Sequence, residues 1–335
     1  PTNGAEVEGF LAWTAAQAPA AFGYWPAQAV ANVALGGRPV VDYSVAFTAI
    51  PVFGSDGWDE EVCRRCGARP DQLPAVDLPG TVAGHVGGDG AVLAPGSIDV
   101  WCEQLVAGAA EAGDVHVICG TTLIVWAVVP AVGGQDAHSS IWTVPHASPD
   151  LRMVGGASNA GGLFLDWVRR SVGRPGTGRV DPANVPVWAP YPRGERTPYH
   201  DPSRRAALHD LDLTHGPAAI QQAAWEAAAF VVRHHIELGR VTAKRIVATG
   251  GGTKVAGWMQ ALADGTGLPV HVATEPEGAA RGAAFLARLA AGLETDLNEA
   301  ARWAATASVV EPRPGWATAA ATRYYRFLEL SGEPA

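Results

Sequence analysis

Apolar residues recur at helical spacing in some stretches of the chain and gather into short unbroken runs in others. The longest helical pattern starts at Ile220 and continues through Ala224, Ala227, Val231 and Leu238, a spacing that turns one face of a helix toward a core. Residues 4–35 carry a rougher version in two sets, Phe10, Trp13, Ala16 and Phe22, Trp25, Val30, and read as helix. Leu163, Phe164, Trp167 and Val168 mark a helix over 163–172, with Asn159 as its N-cap. Further helices are expected over 58–66, 255–264, 277–291, 298–307 and 316–330. Short apolar runs bounded by Gly, Pro and Asp predict strands over 115–119, 123–129, 140–144, 187–190, 245–249 and 268–272. Residues 81–86 and 91–93 read as two strands joined by a Gly-Gly-Asp-Gly turn. Residues 40–44 are extended, with Asp42 or Ser44 able to cap the next segment, and 70–79, 173–185 and 191–202 read as loops. Strands alternating with helices indicate an α/β architecture.

Candidate chemistry concentrates in residues 95–126, PGSIDVWCEQLVAGAAEAGDVHVICGTTLIVW. Asp99 follows a Pro-Gly turn, and a helix-like run leads to a second turn at Gly113-Asp114. A strand, Gly120-Thr121-Thr122 and another strand then form a hairpin whose N–H groups and hydroxyls can hold a phosphate. Gly250-Gly251-Gly252, followed by Thr253 and Lys254, stands between a strand and a helix start, where free N–H groups and the helix dipole favour an anion. Gly161-Gly162 stands at another helix start. A glycine turn by itself is more often only a tight turn. Three in one chain raise a nucleotide site above that plainer reading. Most aspartates after a turn are surface groups or caps, so Asp99 alone says little. Phosphoryl transfer to a sugar, however, needs a carboxylate to accept the hydroxyl proton while Mg²⁺ and backbone donors neutralise the phosphoryl group. No other acid has so small-residue and buried-looking a setting near a phosphate-type turn.

Composition narrows the field. The 335 residues allow two domains, and 48% hydrophobic with 17% charged residues describes a globular chain. A net charge of −9 without a basic block argues against nucleic acid or an anionic membrane as partner. The Ala-rich runs break well short of the ~18 apolar residues of a membrane span. PTNGAEVEGF has neither a basic nor an apolar leader region, so a cytoplasmic protein is expected. Cys63, Cys66, Cys102 and Cys119 are too few for a disulfide framework and are expected to be reduced. Cys63-Arg-Arg-Cys66 lacks a second CxxC or a His pair, so no metal site is expected there. His234-His235 and His209-Asp210 do not form HExxH and suggest ordinary surface or packing roles; no GxSxG occurs. Because the chain begins at Pro1, it is expected to be part of a longer product.

Taken in order, these motifs resemble the FGGY carbohydrate kinases, of the actin/hexokinase/Hsp70 ATPase fold, and within them the xylulokinase-like branch. The resemblance runs along nearly all the chain. It comprises Asp42-Tyr43-Ser44, Gly96 to Asp99 with Gly113-Asp114 at the family's spacing, Gly120-Thr121-Thr122, and Asn159-Ala160-Gly161-Gly162. It continues with Gly194-Glu195-Arg196-Thr197-Pro198 plus Asp201-Pro202, Gly250-Gly251-Gly252-Thr253-Lys254, and Glu277-Gly278-Ala279-Ala280-Arg281-Gly282-Ala283-Ala284. The implied fold is a two-domain, actin-like (ribonuclease H-like) α/β ATPase, with residues 1–114 the latter part of a sugar-binding first domain and 115–335 the nucleotide-binding second domain. The implied reaction is ATP-dependent phosphorylation of a small sugar or polyol, foremost a pentulose such as D-xylulose, with Mg²⁺. Alternatives are a catalytically silent nucleotide-binding relative, or a kinase of ribulose, gluconate or glycerol. A homodimer is left open.

The resemblance further implies that Asp99 is the general base and that Thr121, with Gly120, contacts the ATP phosphates. Gly162 and Gly252 match positions lining the nucleotide, and Ala256 a helix position facing adenine. Thr122, Gly161, Gly250, Gly251 and Thr253 complete the candidate ATP set, with no protein metal ligand. Two departures stand out. Val100 replaces the Asn or Gln usual after the catalytic Asp, and no Asp-x-Gly-Thr hairpin precedes the first helix. The first domain is therefore expected to be incomplete and the chain alone to have little kinase activity.

Overall fold

Pro19, Gly23 and Pro26 divide the single helix that periodicity predicts over residues 4–35. Two helices form instead, α1 (Ala5–Gln17) and α2 (Ala27–Ala34), because proline has no N–H to donate and disfavours a helical residue before it. Phe10, Trp13, Phe22 and Val30, expected to face a core, are exposed, and Leu11, Ala15, Tyr24 and Ala29 are buried in their place. The computed structural model describes residues 5–54, 56–133, 135–146, 148, 150–173, 179–274 and 278–332. Two compact units emerge, Pro1–Val106 with Ala279–Ala300, and Ala107–Gly278 with Ala301–Ala335.

In the first unit the chain continues through β1 (Val40–Asp42), α3 (Tyr43–Phe47), β2 (Phe53–Gly54), β3 (Gly57–Trp58), α4 (Glu60–Arg65), β4 (Ala75–Asp77), β5 (Gly84–His85), β6 (Val92–Leu93) and α5 (Asp99–Ala107). Asp42 caps α3 by accepting from Val45 N, as expected, and Asp59 caps α4. Residues 70–79, expected to be a loop, hold β4, which pairs in parallel with β1. Cys63 and Cys66 are free thiols buried beside Leu11, Ala15 and Val62, and burial pushes both thiols up.

The second unit contains β7 (Asp114–Cys119), β8 (Leu123–Pro130), β9 (Trp142–Pro145), β10 (Leu151–Ser158), α6 (Gly162–Val172), β11 (Val187–Ala189), β12 (Ala207–His209), α7 (Pro217–Leu238), β13 (Arg245–Thr249), α8 (Ala256–Thr266) and β14 (Val270–Ala273). The chain then forms α9 (Gly278–Ala290), nearly all of it counted with the first unit, and ends with β15 (Thr306–Val310) and α10 (Pro314–Ser331). Residue 277, the expected start of α9, and 174–178 of the expected 173–185 loop lie outside the described residues. One seven-stranded sheet runs β15-β14-β13-β7-β8-β10-β9; β13 is parallel to both β14 and β7, and the other pairings are antiparallel.

Two strands of this sheet escape the periodicity. In β10, Gly155-Gly156 interrupts the apolar run, yet glycine is needed there: a Cβ would collide with the Val125 carbonyl or the Thr197 side chain. The helix expected over 298–307 is a short 3₁₀ turn, Leu297–Trp303, followed by β15. Thr306, Val309 and Val310 favour the extended state, and β14 supplies the pairing edge.

The core of this unit packs α7 and α8 on β7, β8 and β13. Two ion pairs tie α10 in, the first of them buried. Arg323 grips Glu226 of α7 at 2.7 and 2.8 Å, and Arg313 grips Asp264 of α8 at 2.6 and 3.0 Å. His234 and His235 are packing residues of α7, and burial drives both down to about 4. Glu226→Ala leaves Arg323 buried and unpaired, so a loss of about 3–5 kcal/mol is expected, measured as a lower urea midpoint.

Candidate functional site

Strands β7, β10 and β13 all run the same way. β13 is parallel to β7, and β10 is antiparallel to β8, itself antiparallel to β7. The glycine turns that leave them therefore meet at the C-terminal ends of these strands. They meet backbone to backbone. Gly162 N donates to Gly120 O at 2.8 Å and Leu163 N to Thr121 O at 3.0 Å. A Cβ on Gly161 would strike the Thr122 backbone, one on Gly162 would lie 2.8 Å from Gly120 O, and one on Gly250 would lie 2.9 Å from Cys119 O. Gly250 also has φ +84°, which disfavours any side chain.

This interlock alters the expected chemistry. The first N–H groups of α6 are taken by hairpin carbonyls, so that helix start is not the open anion cradle its glycines suggested. Asn159 is not the N-cap of α6; Gly161 holds that position. The Asn159 side chain donates to Gly194 O at 3.0 Å, and its N–H to Glu195 Oε1 at 2.9 Å. After β13 a short 3₁₀ turn, Gly251–Lys254, intervenes before α8, which begins one residue later than expected. The first N–H groups of a helical turn have no acceptor within it, and here they belong to Gly251 and Gly252.

Between these turns and α7 lies a cavity of about 680 Å³, within the usual range for small-ligand sites. It brings together Gly120, Thr121, Gly162, Gly251 and Gly252 of the expected set. Thr122, Gly161, Gly250, Thr253 and Ala256 are not in its lining: Gly161 and Gly250 shape the turns, and the Thr253 hydroxyl is engaged with Gly250 O at 2.8 Å. The rest of the wall went unrecognised in the sequence. Leu165, Val255, Trp225 and Trp258 make it apolar and aromatic, Gln221 adds an amide, and Asp166 pairs with Arg169 at 3.0 Å. The four-residue spacing of Gln221 and Trp225, which puts both on one face of α7, was the available signal.

Glu195 braces the site from beneath. Its buried carboxylate accepts from Ser158 Oγ at 2.7 Å and from the N–H groups of Asn159 and Arg196. Burial pushes its pKa up to about 7 although these hydrogen bonds pull the other way.

Asp99 stands in the first unit. It is exposed at the first turn of α5, with Oδ1 accepting from Val100 N at 2.7 Å, so the buried-looking setting read from the sequence is corrected. The loop before it is firmly held. Asp42 N donates to Gly96 O, Ser44 Oγ accepts from Ile98 N at 3.2 Å, and Ser44 Oγ donates to the buried Asp42 Oδ1 at 2.6 Å. A Cβ on Gly282 would strike the Cys102 carbonyl, so α9 packs directly on α5.

The family model for the C-terminal domain of the FGGY family of carbohydrate kinases matches residues 115–291. The chain belongs to this family. It is 28% identical over 265 residues to the xylulose kinase of Bacillus subtilis (strain 168), covering 73% of this chain and 53% of that protein. It is 28% identical over 266 residues to a glycerol kinase of Citrifermentans bemidjiense, covering 74% and 54%. The crystal structure of a gluconate kinase from Lactobacillus acidophilus superimposes with a TM-score of 0.84 at 22% identity, covering 96% of this chain and 71% of that one. That likeness shows the fold, the two-domain α/β fold of FGGY kinases. The chain spans about half the length of the curated relatives it matches.

Two outcomes test this geometry. Gly161→Ala forces the hairpin and α6 apart at a cost of about 1–3 kcal/mol, so hydrogen exchange at the Gly162 and Leu163 amides should speed up. Folding keeps Glu195 protonated at pH values where the unfolded chain has released that proton, so its contribution to stability falls as pH rises from about 4.5 to about 7. The urea midpoint of the wild type relative to Glu195→Gln should therefore be lower at pH 8 than at pH 5.

Proposed function

We propose that this FGGY family member takes part in ATP-dependent phosphorylation of a small sugar or polyol, with D-xylulose the first candidate. The observation that carries the reading is the cavity of the second unit, where three interlocked glycine turns bring Thr121, Gly251 and Gly252 together with Trp225 and Trp258 in one wall. Such turns suit phosphates, and such a wall suits a base. The names of the relatives support a kinase and span xylulose, glycerol and gluconate, so the sugar is a matter for assay.

In this reading Asp99 accepts the proton of the sugar hydroxyl, whose oxygen forms the new bond to the γ-phosphorus as the bond to the bridging oxygen of ADP breaks. Thr121 and the glycine N–H groups hold the phosphate oxygens. Mg²⁺ would enter with the nucleotide. Among the described residues no group of three His, Cys, Asp or Glu side chains could hold a metal, and the one carboxylate in the cavity wall is paired with Arg169. No step is assigned to the cation. A cytoplasmic location belongs to the same proposal; among the described residues no helix is long and apolar enough to cross a membrane.

ADP release measured with ATP and a panel of D-xylulose, ribulose, gluconate and glycerol tests the assignment, with turnover on D-xylulose expected to be highest. Asp99→Asn should lower turnover by ~10²–10⁴-fold while ATP affinity is nearly kept; unchanged turnover would rule Asp99 out as the base. ATP binding without ADP release on any sugar would instead favour a silent nucleotide-binding relative, a reading to which Val100 in place of the usual amide lends weight.

A further inference from the structure

Glu195, in the loop between β11 and β12, is 3% exposed, yet its carboxyl is arranged purely as an acceptor. Oε2 accepts from Ser158 Oγ at 2.7 Å, and Oε1 accepts from Asn159 N at 2.9 Å and Arg196 N at 2.7 Å. Ser158 Oγ in turn accepts from Ala160 N at 3.0 Å. One hydroxyl thus links the carboxyl to the turn into α6, two residues before Gly162. Gly162 and Leu163 are the residues bonded to the hairpin, and Gly162 stands with Gly120 in the cavity wall.

This pattern is that of an ionised carboxylate. A hydroxyl has one proton to donate, and Ser158 gives it to Oε2. A second proton on Oε2 would meet it head-on, and among the described residues Ser158 Oγ has no hydrogen bonds besides those to Glu195 and Ala160. Burial works the other way and favours the neutral form. The neighbouring groups leave that conflict standing. Arg196 favours the ionised form, but its Nε and Nη2 are buried without a hydrogen-bond partner. Tyr191 and Tyr199, pushed up by burial, stay neutral, and Arg204 lies over the Tyr199 ring at 3.6 Å. Asp201 meets Glu195 through backbone, and its carboxylate is held by Ser203. His200 turns its ring to Ser140 O. From α7, His235 reaches the loop through Thr197 and stays neutral, driven down by burial to about 4. Hydrogen-bond geometry favours a charge on Glu195 and burial favours a proton, and the two balance at about pH 7.

We propose that proton uptake by Glu195 releases Ser158 and loosens the turn from β10 into α6, so that the Gly120 and Gly162 wall of the cavity responds to pH. In the ionised state all three donors are engaged and the turn is tight. When the proton binds, Oε2 becomes a donor, the Ser158 hydroxyl swings away, and Ala160 N loses its fixed acceptor. The change is then two residues of backbone from the bonds that join Gly162 and Leu163 to the hairpin. It acts on the wall whatever the cavity holds, so it stands apart from the nucleotide reading.

Amide resonances of the 335-residue chain followed from pH 5 to pH 8 test this. Asn159, Arg196 and Gly162 should shift together with a midpoint near 7. Protection of the Gly162 and Leu163 amides from exchange should be about 5-fold lower at pH 6 than at pH 8, the loss of roughly one hydrogen bond. In Glu195→Gln, whose amide donates to Ser158 at every pH, the titration should vanish and protection should stay low. Ser158→Ala cuts the link, so Asn159 should still titrate while Gly162 does not; this variant decides alone if Glu195→Gln does not fold. A midpoint below about 5, the ordinary range of a glutamate, would overturn the proposal. So would equal protection at the two pH values, a titration that persists in folded Glu195→Gln, or one that still reaches Gly162 in Ser158→Ala.

Discussion

Backbone meeting backbone at the C-terminal ends of β7, β10 and β13 is the constraint on which the second unit depends. Three strands deliver their turns to the same place, and the turns approach more closely than any side chain allows. Gly161, Gly162 and Gly250 are required by the β7–β8 hairpin rather than by a ligand, since each lies against its main-chain atoms. The hydrogen bonds from Gly162 and Leu163 to Gly120 and Thr121 then lock α6 to the hairpin. Tight turns, free donors and a recess between them arise from the same absence of Cβ atoms.

Charge holds the frame around that recess. Arg245 reaches Asp114 at 2.8 and 2.9 Å and joins β7 to β13, while Arg323 and Arg313 of the C-terminal segment clasp Glu226 and Asp264 on the two helices behind the sheet. Glu195 works differently. Its burial is unfavourable for the charged form, yet it receives the Ser158 hydroxyl and the N–H of Asn159, the two residues that open the turn into α6. The polypeptide accepts a poorly solvated carboxyl at the point where the turn has to be placed accurately.

The first unit uses the same device on a smaller scale. Asp42, fully buried, caps α3 and binds Ser44, and Ser44 in turn holds the loop that ends at Asp99. A rigid approach to an exposed carboxylate suits a group that has to meet a substrate, whereas a buried carboxylate would be resistant to ionising.

Local pattern settled much on its own. The 3.6-residue period announced α7, and the apolar runs around Gly120-Thr121-Thr122 and before Gly250 announced the hairpin and β13, because those segments carry their instructions within a few residues. The ordered motifs were enough to recognise the FGGY family. Tertiary structure decided what depends on distant partners. Gly155-Gly156 lies in a strand because it pairs with β8, and Val125 and Thr197 leave no space for a Cβ there, while 306–310 is extended because β14 offers an edge. Phe10 and Trp13 proved exposed because Leu11 and Ala15 hold the packed face of their helix. Gln221, Trp225 and Trp258 became one wall only once α7 and α8 packed together, since burial is a property of an assembled interior and not of any stretch of sequence.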